Sequence, residues 1–159
     1  MFKLNSSKKG FTLIEILIVI GIIAILATIV IIAINPARQF AQARNTQRQS
    51  NVNTILNAVG QNLADNKGAL GGGCPTLTVG TVYTIAKTGS AVSPASTTID
   101  LSCLTPTYIS SQVPVDPSVG VWTSATDYNT GYNIMFDSNG RYTVSAPEAD
   151  LSQTISVTR

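Results

Sequence analysis

The chain has 159 residues, 44% of them hydrophobic and only 11% charged, against roughly a quarter charged in an ordinary soluble domain. The formal net charge of +2 is carried by the start: without Lys3, Lys8 and Lys9, seven cations face eight anions, so charge gives no argument for a nucleic-acid partner. There is no histidine, which removes the commonest general base and metal ligand, and two cysteines are too few for a Cys-rich zinc site.

Three lysines precede an apolar run, Phe11 to Ile34, interrupted only by Thr12, Glu15, Gly21 and Thr28. As a helix it would be about 36 Å long, enough to cross a hydrocarbon core of about 30 Å. The preceding lysines would keep the start in the cytoplasm and export the remainder of the chain. Asn35-Pro36 predicts a disturbance of the helix, because proline lacks an N–H and disfavours helix at the residue before it. Three readings compete. A secretory signal peptide would use the small residues Ala41-Gln42-Ala43 and leave Arg44 first, but the run is too long for that and carries a carboxylate. A plain anchor would keep Met1.

The third reading rests on "KKGFTLIE", residues 8–15, which resembles the type III signal of type IV pilins and secretion pseudopilins. The resemblance implies cutting between Gly10 and Phe11 by a prepilin peptidase, N-methylation of Phe11, and a role for Glu15 in positioning an incoming subunit. It divides the chain into a leader at 1–10, a transmembrane or filament-core helix at 11–35, an amphipathic continuation at 36–67 and a β-rich head at 68–159. Members of this family often carry a proline within the apolar segment; here Pro36 lies at its far end. The physics fits the resemblance. Cutting creates a positive amine at Phe11, one helical turn from Glu15, near the headgroups where a charge costs less than at the bilayer centre. In a filament core, both charges would need partners, and a neighbour's amine against Glu15 would supply them.

Beyond Pro36, Val52, Ile55, Leu56, Val59 and Leu63 fall on one helical face. One helix is predicted from Phe11 to about Asn66, disturbed at Pro36. Arg38, Arg44 and Arg48 do not form a nucleic-acid stripe: Arg38 lies on another face and no aromatic residue interleaves. A solvated face or intersubunit salt bridges are the expectation for them. "GALGGGCP" ends the helix, with Gly71–Gly73 read as a linker.

From Cys74 onward the pattern is β-rich. "TLTVGTVYTI" is a candidate strand with a bulge or bend at Gly80, "GSAVSPAS" a loop, "TTIDLSCL" a second strand and "PTYISSQVPVDPSVG" a loop region. The best hairpin signal is "TGYNIMFDSNGRYTVSA", turning at Ser138-Asn139-Gly140, and "DLSQTISVTR" adds an edge strand. The prediction is an α+β fold, with an antiparallel sheet of three to five strands on the Val52–Leu63 face. If this part is exported, Cys74 and Cys103 are expected to form a disulfide; two buried free thiols are the alternative.

Asp116, Asp127 and Asp137 are calcium candidates, because secretion pseudopilins of the resembled family hold calcium in such loops; turn chemistry accounts for the same residues. Glu148 and Asp150 read as a solvated acidic tail. No hydroxyl nucleophile has an evident activating base and no phosphate-binding glycine loop opens a helix, so no catalysis and no cofactor are expected. The resemblance implies a membrane-held precursor that prepilin peptidase trims and pilus assembly machinery builds into a helical homo-oligomer, extracellular or periplasmic, serving adhesion, motility, DNA uptake or secretion. The rivals are a type II secretion pseudopilin and, from another class, a monomeric anchored or secreted binding domain.

Overall fold

The computed structural model describes residues 10–87 and 97–159, apart from the side chains of residues 32–34. The basic start of the leader and the "GSAVSPAS" loop lie outside the described residues. The chain forms two compact units that meet in sequence between Gln39 and Phe40.

In the first unit, α1 spans Leu13–Ile34 and its large apolar side chains as far as Ile31 are exposed, from Ile16 at 50% to Leu13 at 82%. α2 spans Pro36–Asp65. The single helix expected from Phe11 to Asn66 is therefore two. The break sits at Asn35, in the left-handed region at φ 46° and ψ 79°. Asparagine is among the few non-glycine residues that tolerate this conformation, and Pro36 bars the residue before it from helical geometry.

In the second unit, Val52, Ile55, Leu56 and Val59 of α2 are buried as their spacing predicts, and Leu63 packs at the margin of the same core. They meet one face of a six-stranded sheet: β1 (Val82–Lys87), β2 (Thr98–Ile99), β3 (Val121–Ser124), β4 (Asp127–Phe136), β5 (Tyr142–Ala146) and β6 (Ile155–Thr158). The order is β2-β1-β4-β5-β6, with β3 paired to β4. Along β4 every second residue from Tyr128 to Ile134 is buried, the period of a sheet with one covered face.

The sheet is larger than the three to five antiparallel strands expected, and β2 pairs parallel to β1, with Thr84 opposite Thr98. β3, which has no counterpart among the expected strands, pairs with the first half of β4, while β5 pairs with the second half. Two candidate strands shorten. The first begins only at Val82, after Gly80 turns the chain at φ 78°. In the second, the Asp100 carboxylate accepts the Ser102 N–H at 2.8 Å and turns the chain into a 3-10 helix at Ser102–Leu104.

The hairpin forms where the sequence places it. Asp137 Oδ1 accepts the N–H groups of Asn139 and Arg141, and Gly140 takes φ 79°. Cys74 and Cys103 are joined in a disulfide, Cα atoms 5.3 Å apart. Gly71 is not part of a free linker: the Asn62 carboxamide holds both its N–H and its carbonyl, at 2.9 and 3.2 Å.

Candidate processing and assembly site

Gly10, Phe11 and Thr12 precede α1 in non-helical backbone, so the Gly10–Phe11 bond lies outside the helical hydrogen-bond ladder. Phe11 is 84% exposed, and a side chain added at Gly10 would meet nothing within 4 Å among the described residues. Thr12 is the N-cap, in extended conformation at φ −80° and ψ 153°. Its hydroxyl accepts the Glu15 N–H at 3.3 Å, while Glu15 Oε2 accepts the Thr12 N–H at 2.7 Å and the Thr12 hydroxyl at 2.8 Å. This is a capping box: threonine and a glutamate three residues on satisfy two donors that a helix start would otherwise leave bare.

The lone carboxylate of the apolar run is thus fixed by its own helix. It uses one oxygen, at the end where the helix dipole favours a negative charge. Glu15 Oε1 has no hydrogen-bond partner among the described residues. The hydroxyl within α1, on Thr28, donates to the Ala24 carbonyl at 2.9 Å and so places no unmet donor on the apolar surface. Phe11 and Ile16 line one shallow apolar depression with Leu13, Leu17 and Ile20, the placement of a hydrophobic staple at a helix start.

A second polar constellation lies wholly in the second unit, and sequence reasoning missed it. Arg48 is 1% exposed. Its Nε donates to Asp116 Oδ2 at 2.6 Å, and its Nη2 to Asp116 Oδ1 at 3.2 Å and Ser118 Oγ at 2.6 Å. Its Nη1 donates to Asn45 Oδ1 at 2.9 Å and Asp150 Oδ2 at 2.5 Å. All five guanidinium N–H groups are engaged. Arg44 grips Asp150 with two parallel bonds of 2.8 Å. Arg48 is therefore not on a solvated face, Arg44 is half-buried in a pair within its own chain, and Asp150 is not a solvated tail.

Hydrogen bonds from Arg44 first, then Arg48, hold the Asp150 carboxyl well below the usual carboxylate range. Burial pushes the Asp116 carboxyl up, but Arg48, Ser118 and the Val119 N–H together bring it below its ordinary value. The hydrogen bond to Asp116 raises the Arg48 guanidinium further.

The calcium candidates are dispersed. Asp116 is held by Arg48, and Asp137 by Arg141 at 2.9 Å. Asp127 is half-buried at the start of β4, its Oδ1 buried without a hydrogen-bond partner among the described residues. Among the described residues, no three His, Cys, Asp or Glu side chains form a group able to hold a metal ion. The local signal that could have marked Asp116 is its position in "DPSVG", an Asx turn: Oδ1 accepts the Ser118 and Val119 N–H groups, and Gly120 N–H returns to the Asp116 carbonyl at 3.1 Å. Nothing local marks its pairing with Arg48, 68 residues away.

Residues 5–31 match the family model described as the prokaryotic N-terminal methylation motif. No match was found among curated proteins or among solved structures. The matched segment takes in Gly10, Phe11, the capping box and most of α1.

Proposed function

Starting from the prepilin signal of type IV pilins and pseudopilins carried by residues 5–31, we propose that the chain is the structural subunit of a type IV pilus-like filament. The leader at 1–10 is removed by prepilin peptidase between Gly10 and Phe11, and Phe11 becomes the N-methylated first residue. Residues 11–35 hold the precursor in the membrane and later form the filament core; 36–67 continue the stem and 68–159 form the exposed head. The methylation motif is the observation that carries this reading.

The geometry supports a mechanism for assembly. Cutting before Phe11 frees a cationic amine next to the capping box. Glu15 keeps Oε2 on Thr12 and offers Oε1 to the amine of an adjoining subunit. Away from water each charge needs the other, so the pair sets the axial stagger between subunits. The apolar surface of α1 leaves lipid for other apolar helices, where close packing offsets the loss of lipid contacts.

A pilus is preferred to a secretion pseudopilus because two of the three calcium candidates, Asp116 and Asp137, are already taken by Arg48 and Arg141. The test is the N-terminal sequence of the protein recovered from its native envelope. N-methylated Phe11 is the expected first residue; Met1 would mark an uncut anchor and Arg44 a signal-peptidase product, and either would overturn the reading.

A further inference from the structure

A groove of about 620 Å3 lies beside the start of β6, lined by Gln42, Asn45, Thr46 and Gln49 of α2 and by Gln153, Thr154 and Ile155. Among the described residues, no charged or aromatic side chain lines it. Among the described residues, the Gln42 and Gln49 carboxamides have no hydrogen-bond partner. The end of the groove is built rigidly. Asn45, 5% exposed, accepts the Asp150 N–H at 2.9 Å and donates to the Asp150 carbonyl at 2.8 Å and Gln153 Oε1 at 2.9 Å. Arg44 and Arg48 grip the same aspartate. Between these anchors, Leu151 and Ser152 are held at φ 59° and 53°, a conformation that costs L-residues energy and persists only when the surroundings impose it.

β6 is the last strand of the sheet, and its register fixes which backbone groups are free. Tyr142 and Arg159 exchange two hydrogen bonds, of 2.7 and 3.0 Å. Antiparallel alternation then places the next bonded pairs at Val144 with Val157 and Ala146 with Ile155. The N–H and C=O groups of Ser156 and Thr158 therefore point off the sheet. A row of backbone groups with no partner among the described residues continues from a groove whose opposite wall carries the Gln42 and Gln49 carboxamides, each offering one donor and one acceptor face as a peptide group does.

We propose that this groove and edge bind an extended, uncharged polypeptide segment, which adds to the sheet as a strand along β6 while Gln42 and Gln49 bond its backbone from the α2 side. Main-chain pairing of this kind needs no charged side chain on the receptor, and the lining has none. An apolar helix such as α1 of another copy fits poorly, because it would strip water from the carboxamides and return no hydrogen bonds. A saccharide would leave the free edge of β6 unused, and the groove offers no aromatic face for a sugar ring.

The test is amide exchange of the isotope-labelled full chain in detergent micelles. The probe is an acetylated and amidated hexapeptide of alternating threonine and valine. Pairing is expected to slow exchange at Ser156 and Thr158 by about tenfold or more and to shift the Gln42 and Gln49 side-chain amides. Ser156→Pro deletes an outward N–H that β5 does not use, so the fold should survive, with Tyr142 and Arg159 amides still protected, while binding is lost. If that variant loses Tyr142 protection, the double variant Gln42→Leu, Gln49→Leu carries the test, with binding expected to weaken about tenfold. Unchanged exchange at saturating peptide, or undiminished binding in the folded variant, overturns the proposal. So does protection that rises with protein concentration alone, which marks a second copy as the occupant. A dextran oligosaccharide that shifts the glutamine amides without protecting β6 would overturn it too.

Discussion

α1 and α2 are neighbours in sequence and both run for many turns, yet they find their partners in opposite ways. Among residues 10–31 no side chain is buried. α2 buries nine, including one arginine and two asparagines. A helix that is apolar all round and covered by nothing of its own depends on its surroundings, lipid or other apolar helices. A helix with one buried stripe is held by its own chain. The difference separates two kinds of failure: damage to α1 should spare the head and abolish assembly, whereas damage to the α2 contacts should loosen the head first.

The largest effect is expected from Glu15→Ala. Filament yield, counted by electron microscopy, should fall to nearly nothing while the mature N-terminus and the thermal unfolding of the head stay unchanged. Normal fibre yield would remove Glu15 from the assembly role. Second comes Arg48→Met, which strands the buried Asp116 carboxylate. Losing one partner of such a pair costs about 3–5 kcal/mol, read as a lower denaturant midpoint in micelles. A shift of under about 1 kcal/mol would mean that water reaches the pair.

Removing the disulfide with Cys74→Ser and Cys103→Ser should cost roughly 3.5 kcal/mol on the loop-entropy model for a separation of 29 residues. Neither head variant should alter processing at Gly10, and a change there would blur the proposed division. The smallest effect is that of pH. Asp116 and Asp150 have depressed folded pKa values, so the stability they contribute is fully present above the unfolded value of about 3.9 and is lost as pH falls through the folded ones. With no histidine in the chain, the denaturant midpoint should be flat from pH 8 to about pH 5 and fall below about pH 4. A fall already complete at pH 5 would contradict this assignment.

What the sequence disclosed was local. The motif of Gly10, Phe11 and Glu15 stands within six residues; the capping box of Thr12 and Glu15 is just as local but went unread. The Val52–Leu63 face follows from helical spacing, and the hairpin from Asp137 to Gly140. What stayed hidden needs distant residues. Arg48 sits among glutamines and asparagines and so reads as solvent-facing, until Asp116 and Asp150 arrive from 68 and 102 positions away. β3 is four residues long and has no pattern of its own; it is a strand because β4 gives it an edge. β2 is two residues laid parallel on β1, too short to show a period. Pro36 marked the helix break, but only the backbone shows that Asn35 absorbs it.

Arg48 ends with no N–H to spare. An anion arriving from solvent, whether phosphate, sulfate or a carboxylate on another molecule, finds nothing there to bind unless the head first opens. The outward face of the protein is correspondingly less cationic than its count of arginines suggests. Lysine could not take over the post, since one ammonium has three donors radiating from a single point and cannot reach Asn45, Asp116, Ser118 and Asp150 together.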